Sequence, residues 1–117
     1  MENRQSKSAP ARIPVKAGQR FVFIKPEEID CIEAERNYVK IQSGGESFLI
    51  RQTLAAIEKK LEDSRLVRVN RSAMVNIDRI KELRFDDTYN YEVVMDSGRT
   101  WSWGRKFRAN MQRVLAP

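Results

Sequence analysis

The chain has 117 residues, of which 41% are hydrophobic, so it is long and apolar enough to bury the core of one domain. Its formal net charge of +6 favours polyanionic partners such as nucleic acids. It contains no histidine and a single cysteine, Cys31, which excludes an internal disulfide and a zinc site of the Cys/His type. No apolar run approaches the length of a membrane span, so we expect a soluble, cytoplasmic protein without membrane contact.

The first eighteen residues mix serine, proline, alanine and basic side chains without periodicity. This composition predicts a flexible basic tail or linker over residues 1–18, followed by one folded domain over residues 19–117. Strand patterns are then found over 21–24, 29–34 and 38–42. The sequence Ser-Gly-Gly-Glu at 43–46 predicts a hairpin that leads into a strand over 47–50.

A short helix is predicted in the middle of the chain, where Thr53 can act as its N-cap. Apolar residues recur there at helical spacing, at Leu54, Ile57 and Leu61. Further strands are predicted over 66–71, 80–85, 91–95 and 100–103, whereas residues 73–77 remain ambiguous.

A second helix is predicted over residues 105–115. Its apolar face would be formed by Phe107, Met111, Val114 and Leu115. The expected fold class is therefore mainly β, with about eight strands and two short helices attached to the sheets.

The absence of histidine removes the commonest general base and the commonest metal ligand. No P-loop and no GxGxxG sequence is present, so no nucleotide cofactor is expected. Glu27, Glu28 and Glu33 could supply a carboxylate pair, but strand ends carry such charges routinely. We therefore expect a binding module rather than an enzyme, with no cofactor and no metal.

Positive charge is concentrated in two acid-free segments, residues 65–77 and 99–117. The first is rich in arginine and asparagine, whose donor groups match the edges of guanine and adenine. In the second, Arg105 and Lys106 open the predicted helix, and the N–H groups of a helix N-terminus favour phosphate oxygens. An earlier loop contains Arg36, Asn37 and Tyr38. Together these features indicate recognition of nucleic acid.

In this order the segments resemble the LytTR family of bacterial DNA-binding domains, the output modules of LytR/AlgR/AgrA-type regulators. The resemblance runs from about residue 21 to 115. Its most specific element is the sequence RVNRSAMVN over 68–76, which is similar to the family's RVHRSxxVN signature. Supporting elements include Asn37-Tyr38-Val39 and the Thr53-Leu54 helix start.

The resemblance implies an elongated, strand-dominated fold that binds double-stranded DNA, with loops at strand ends in successive major grooves. It also implies transcription regulation from direct-repeat-like sites, within two-component signalling. An upstream receiver or sensor domain, and two copies paired on adjacent repeats, are further expectations.

Individual residues take roles from the same resemblance. Base contacts are expected from Arg71, Arg105, Asn37 and Tyr38. Phosphate contacts are expected from Arg36, Lys40, Asn70, Ser72 and Lys106. Two positions depart from the family pattern, because Asn70 replaces the usual histidine and Gly104 replaces the usual serine or threonine. Both departures are expected to change the target sequence rather than to abolish binding.

Several other notable residues are expected to be structural. We expect Arg68 to be a strand residue that forms an ion pair, and Asn76 to hold a turn. Trp101 and Trp103 share one strand face and should pack in the core. Cys31 lies in a strand pattern and should be a small buried hydrophobe.

Two other kinds of binding module remain open from the residues alone. The first is an RNA-binding module in which Tyr38, Trp101 and Trp103 stack on bases. The second is a protein-interaction domain whose basic faces dock an acidic partner. Preference for single-stranded RNA would favour the first, and the absence of duplex binding even at low salt would favour the second.

Overall fold

The computed structural model describes residues 12–116, which form ten strands and two α-helices. The strands are β1 (Ile13–Ala17), β2 (Arg20–Ile24), β3 (Ile29–Glu35), β4 (Tyr38–Ser43), β5 (Glu46–Ile50), β6 (Leu66–Asn70), β7 (Ala73–Asn76), β8 (Ile80–Phe85), β9 (Tyr91–Met95) and β10 (Thr100–Trp103). The helices are α1 (Leu54–Lys60) and α2 (Gln112–Leu115). Short 3₁₀ helices cover Pro26–Glu28, Ile77–Arg79 and Arg105–Met111. The expected mainly β fold with two short helices is confirmed.

The strands form three antiparallel sheets. The largest has five strands in the order β5-β4-β3-β7-β6, the second has the order β10-β9-β8, and β1 and β2 form a hairpin. The segment 73–77, which was ambiguous in sequence, contains β7, an interior strand whose four residues are all buried. Burial on both faces explains the ambiguity, because such a strand lacks the alternation of apolar and polar residues.

The five-stranded sheet has an apolar cluster against each face, because successive side chains of a strand point to opposite sides. On one face, Ile32 of β3 and Met74 of β7 pack with α1 and the β1–β2 hairpin. On the other face, Cys31 and Val75 pack with residues of the three-stranded sheet, among them Trp103 of β10. Both faces of the sheet are thus covered by other elements. The loops at the strand ends are therefore the part of the sheet that can contact a ligand.

Cys31 is completely buried, and this burial raises the pKa of its thiol to about 11. The thiol is therefore protonated at neutral pH, and a protonated thiol is a poor nucleophile. The prediction that Cys31 is a small buried hydrophobe is confirmed.

The first strand lies within the segment 1–18 that was predicted to be a tail. Ile13 and Val15 are 3% and 2% exposed, and they pair with Ile24 and Val22 across the hairpin. Their alternation covers only a few residues, too few to stand out beside the Ser- and Pro-rich sequence before them. For residues 13–17 the structure differs from the predicted tail, whereas residues 1–11 lie outside the described range.

The predicted second helix is tighter than an α-helix over most of its length. Residues Arg105–Met111 form a 3₁₀ helix, and only Gln112–Leu115 are α-helical. The Trp103 indole Nε1 donates to the Phe107 carbonyl at 2.8 Å. In an α-helix this carbonyl would accept the bond from the amide four residues later, so the indole competes with the α-helical pattern.

The tighter winding changes which residues face the core. Phe107, Met111 and Val114 contact the second apolar cluster as predicted, but Leu115 is 65% exposed. The assignment of Leu115 to the apolar face was wrong, because three residues per turn rotate the later positions away from an α-helical stripe. No helix within residues 12–116 is long and apolar enough to cross a membrane.

Candidate nucleic-acid interface

One end of the five-stranded sheet carries a row of basic loops, which we call the basic edge. It comprises residues 36–38 at the β3–β4 hairpin, Arg51 after β5, residues 71–72 between β6 and β7, and residues 105–106 at the start of the last 3₁₀ helix. The Ala34 amide of β3 donates to the Ser72 carbonyl at 2.8 Å. This bond places the β6–β7 turn beside the β3–β4 hairpin.

The β6–β7 turn is held by the side chain of Asn70. The Asn70 Oδ1 accepts from the Ser72 amide at 2.8 Å and from the Ser72 hydroxyl at 3.1 Å. The Asn70 Nδ2 donates to the Ser102 carbonyl of β10 at 2.8 Å. One carboxamide therefore fixes the local turn and ties it to the strand that leads into Arg105.

The backbone of this turn is also held from the inside by Arg68. Its Nε donates to the Asn70 carbonyl at 3.0 Å, and its Nη2 donates to the Arg71 carbonyl at 2.7 Å. Its Nη1 forms an ion pair with Glu58 Oε1 of α1 at 2.8 Å. The predicted ion pair of Arg68 is confirmed, and its guanidinium supports the turn that presents Arg71.

Gly104 brings the second basic segment against this turn. Its amide donates to the Val69 carbonyl at 2.8 Å. A Cβ placed on Gly104 would lie 3.5 Å from the Asn70 Cβ, so the two backbones are in near contact. An open groove of about 340 Å³ lies beside this contact. It is lined by Asn70, Arg71, Ser72, Gly104, Arg105, Lys106 and Phe107.

The structure thus brings together five of the predicted contact residues around one groove. These are Asn70, Arg71, Ser72, Arg105 and Lys106. The other four, Arg36, Asn37, Tyr38 and Lys40, belong to the β3–β4 hairpin at the same end of the sheet.

The β3–β4 hairpin presents Arg36, Asn37 and Tyr38 to solvent. Arg36 has a φ of 59°, in the left-handed region that non-glycine residues rarely occupy. Tight turns and functional sites are where such conformations are found. Lys40 forms an ion pair with Glu35 at 3.5 Å, so its charge is partly neutralised within the hairpin.

Arg51 belongs to the basic edge and was missed in the sequence. Ile50 pairs with Val39, so the end of β5 lies next to the start of β4. The Arg51 guanidinium lies 6.0 Å from the centroid of the Tyr38 ring. An arginine directly after a predicted strand was the only available signal, and it is too common to single out.

Within residues 12–116, the groove of the basic edge keeps its positive charges. Among residues 12–116, no carboxylate forms an ion pair with Arg71, Arg105 or Lys106. Glu33 approaches the edge through β3, but it pairs with Arg99 at 3.8 Å and accepts from the Trp101 indole at 3.2 Å. The groove therefore keeps a positive potential that suits an anionic ligand.

Two further expectations concern residues that were predicted to be structural. Asn76 is 2% exposed, and its Nδ2 donates to the Ile29 carbonyl while its Oδ1 accepts from the Asp78 amide. Its predicted role in holding a turn is confirmed. Trp103 is 3% exposed and Trp101 is half-buried against the same cluster. Their predicted core packing is confirmed, which weakens the reading of these rings as base-stacking platforms.

Comparison with known proteins gives one family. The family model described as the LytTr DNA-binding domain matches residues 19–116. The sensory transduction protein LytT of Bacillus subtilis (strain 168) is 29% identical over 114 residues, which cover 96% of this chain and 46% of that protein. The transcriptional regulatory protein LytR of Staphylococcus aureus (strain N315) is 25% identical over 113 residues, covering 97% of this chain and 46% of LytR.

A solved LytTr DNA-binding domain from Bacillus cereus has the same fold. It superposes with a TM-score of 0.76 at 17% sequence identity, covering 92% of this chain and 98% of that domain. The chain spans about half the length of the curated relatives it matches.

Proposed function

This chain belongs to the LytTR family of DNA-binding domains, and we propose that it reads the sequence of duplex DNA through the basic edge. The family supplies DNA binding to transcriptional regulators and is not a family of enzymes. The observation that carries the finer proposal is the groove shared by Arg71 and Arg105, two arginines from distant parts of the chain that no carboxylate of the described residues neutralises.

Arg71 and Arg105 are the proposed base readers of this groove. Arginine can donate two parallel hydrogen bonds to the O6 and N7 atoms of guanine in the major groove. Arg71 is exposed at the tip of a turn whose backbone is fixed by Asn70 and Arg68. Such a fixed support reduces the entropy lost when a side chain is ordered on the DNA.

Asn37 and Tyr38 are the proposed base readers of the second loop. Both are exposed at the β3–β4 hairpin, and asparagine can pair with the N6 and N7 atoms of adenine. The hairpin is a strand-end loop narrow enough to enter a major groove about 12 Å wide. Because the two loops lie at the same end of the sheet, they can face the same duplex, and we propose, as the family resemblance implies, that loops of the basic edge enter successive major grooves.

Phosphate contacts are assigned to the charged groups that flank these loops. They are Arg36, Lys40, Ser72, Lys106 and, in addition, Arg51. Asn70 is moved from this group to a positioning role, because its Oδ1 and its Nδ2 are both engaged within the protein. Phosphate contacts fix the register of a protein on the duplex without carrying sequence information.

The wider assembly is part of the same proposal. In the relatives, the matched region is about half of the protein, and their names describe sensory transduction and transcription regulation. We propose that a receiver or sensor domain controls this domain, and that two copies bind adjacent direct repeats.

The test is selection of binding sites from a random duplex library with the 117-residue chain. The selected duplex and a scrambled control are then titrated at physiological salt, with single-stranded RNA as a competitor. We expect one motif, repeated in a single orientation, and a preference of about 10³ or more over the scrambled duplex.

Two results would contradict the proposal. Weak binding to all duplexes that disappears with added salt would mean that the arginines supply only charge. More effective competition by the RNA than by unselected duplex would favour an RNA-binding module instead.

A further inference from the structure

Two groups of exposed aromatic side chains lie outside the basic edge, and they are bordered by opposite charges. The first, the cationic aromatic face, comprises Arg12, Lys16, Phe21, Phe23 and Lys25. The second, the anionic aromatic face, comprises Phe85, Asp86, Asp87 and Tyr89. Neither is needed for the DNA contacts proposed above.

The cationic aromatic face is the outer side of the β1–β2 hairpin. Phe21 and Phe23 are 63% and 55% exposed, although both are large apolar residues. They alternate along β2 with Val22 and Ile24, which pack against the first apolar cluster. Because the core already takes the other side of the strand, the fold leaves the two rings in solvent.

Positive charge borders these rings along β1 and at the end of β2, whereas Glu28 and Glu46 lie on the other side of Phe23, in a groove that it also lines. Lys16 is the cross-strand neighbour of Phe21, and the Arg12 guanidinium lies 5.5 Å from the centroid of the Phe23 ring. Lys25 follows β2 directly and is exposed. No acidic residue occurs anywhere in residues 12–26.

The anionic aromatic face lies at the β8–β9 loop. Phe85 and Tyr89 are 64% and 60% exposed, and their rings are stacked with centroids 6.0 Å apart. Tyr91 supports Phe85 from below in a tilted arrangement at 5.7 Å. The loop itself is ordered by Asp86, whose carboxylate accepts from Thr88 and Asn90.

Carboxylates border this second pair of rings, because Asp86 and Asp87 lie in the loop between them. The cations nearby are already engaged. Arg84 forms an ion pair with Glu82. Arg108 lies 4.8 Å from the centroid of the Tyr91 ring and donates to the Tyr89 carbonyl at 2.7 Å.

We propose that the cationic aromatic face of one copy of this chain docks on the anionic aromatic face of a second copy. Apolar rings would meet apolar rings, while lysine and arginine at the rim would meet aspartate. Pairing of either face with itself would bring like charges together. The contact is therefore head-to-tail and leaves one free face at each end of a pair.

A head-to-tail contact suits sites that repeat in one orientation, and this last step rests on the proposed function. The contact is small, since each aromatic side chain buries at most about 150–250 Å². Stable interfaces need about 800 Å² on each partner. Association should accordingly be weak in free solution and stronger where DNA holds two copies side by side.

The first experiment needs no DNA. Sedimentation of the 117-residue chain is followed up to about 1 mM at low salt, as expected for a weak contact. One variant carries Phe21→Ser and Phe23→Ser, and a second carries Phe85→Ser and Tyr89→Asn. Asparagine is chosen because Tyr89 has a φ of 59°, which asparagine tolerates. Leu115→Ser, at an exposed apolar residue outside both faces, is the matched control.

The wild type and the control should form oligomers that grow beyond the dimer as the concentration rises. Added salt should weaken this association. Each double variant alone should stay monomeric, whereas an equimolar mixture of the two should form dimers and nothing larger, because only one intact junction remains. A wild type that is monomeric at all concentrations, or that closes at a dimer, would overturn the proposal. A mixture that stays monomeric would also overturn it, and thermal unfolding of each variant checks that it is folded.

The second experiment uses a duplex with two adjacent selected sites and one with a single site. We expect the second copy to bind about tenfold more tightly than the first, a difference of about 1.4 kcal/mol. Either double variant should abolish this cooperativity while keeping its affinity for the single site. A loss of single-site affinity would place the altered face in the DNA contact and overturn the proposal. Absence of any DNA binding would refute the proposed function but leave the sedimentation result standing.

Discussion

Two turns of this molecule are held by the same pattern of side-chain hydrogen bonds but carry opposite charges. In the β6–β7 turn, Asn70 Oδ1 accepts from the amide and the hydroxyl of Ser72, two residues later. In the β8–β9 loop, Asp86 Oδ1 accepts from the amide and the hydroxyl of Thr88, again two residues later. The residue between is Arg71 in the first turn and Asp87 in the second.

The difference lies in what the rest of the side chain can do. The Asn70 carboxamide has an N–H donor, and it uses that donor to bind the Ser102 carbonyl of β10. The Asp86 carboxylate can only accept, and its second oxygen accepts from Asn90 of its own loop. The Asn70 side chain therefore ties its turn to a distant strand, whereas the Asp86 side chain accepts only from its own loop. A turn that must hold two basic segments together needs the donor.

The variant Asn70→Asp should have the largest effect, because it gives the β6–β7 turn the carboxylate that the β8–β9 loop has at Asp86. The new carboxylate can still accept from Ser72, but it cannot donate to Ser102 and it puts negative charge at the basic edge. We expect the free energy of unfolding to fall by about 1–3 kcal/mol. Specific DNA binding should fall by more than it does for Arg71→Ala.

Asn70→His is the matched control, because histidine has both a donor and an acceptor. It should retain binding, with a changed preferred sequence in a repeated site selection. Equal affinity of Asn70→Asp and wild type, measured by titration of the selected duplex, would refute the positioning role of Asn70.

Arg71→Ala and Arg105→Ala should each weaken binding to the selected duplex by about 1–3 kcal/mol, as for a lost bidentate base contact. Binding to a scrambled duplex should change much less. Arg84→Ala, an exposed arginine of β8 outside the basic edge, is the control and should alter neither affinity. Equal losses on both duplexes would reduce the altered arginine to a phosphate contact.

Lys106→Ala and Arg51→Ala test the charges that flank the two loops. Each should weaken selected and scrambled duplexes alike and lower the slope of log affinity against log salt by about one unit. Titrations at several salt concentrations measure this slope. For either residue, an unchanged slope would show that it does not neutralise a phosphate.

The smallest effect is expected for Asp86→Asn, which gives the second turn the carboxamide of the first. Hydrogen bonds from the Asn90 amide and from Thr88 lower the pKa of Asp86 from 3.8 to about 2. A pKa lowered by folding stabilises the protein above the unfolded value and loses this contribution as the pH falls from about 4 towards 2. Denaturant unfolding at pH values across this window should show a flatter dependence for Asp86→Asn. An identical dependence would mean that the aspartate loop is not ordered by its charge.

The arginines of the motif over 68–76 show what the sequence alone could assign. Alternation placed Arg68 in a strand, where an arginine is expected to form an ion pair, and the structure confirms both. The same pattern did not reveal that the Arg68 guanidinium also donates to the carbonyls of Asn70 and Arg71, where the turn begins. That role depends on Glu58, which α1 brings to Arg68 from ten residues earlier.

Other elements escaped because their signals are short or shared with many surface residues. β1 has only five residues beside a Ser- and Pro-rich segment, and β7 is buried on both faces. Arg51 became notable only when β5 placed it beside Tyr38. Phe21 and Phe23 looked like ordinary strand residues in the sequence. Alternation alone does not show which of the two faces of a strand packs against the core.

Sequence patterns alone predicted the local features of this protein: the strand periods, the Thr53 cap, the hairpin turn at 43–46 and the acid-free segments. These depend on residues close in the chain, where the period of two and the short reach of a side chain leave few alternatives. That Arg71 and Arg105 share one groove follows only from the folded arrangement of the chain. That meeting depends on two hydrogen bonds between distant segments, Asn70 to Ser102 and Gly104 to Val69, which no local pattern specifies.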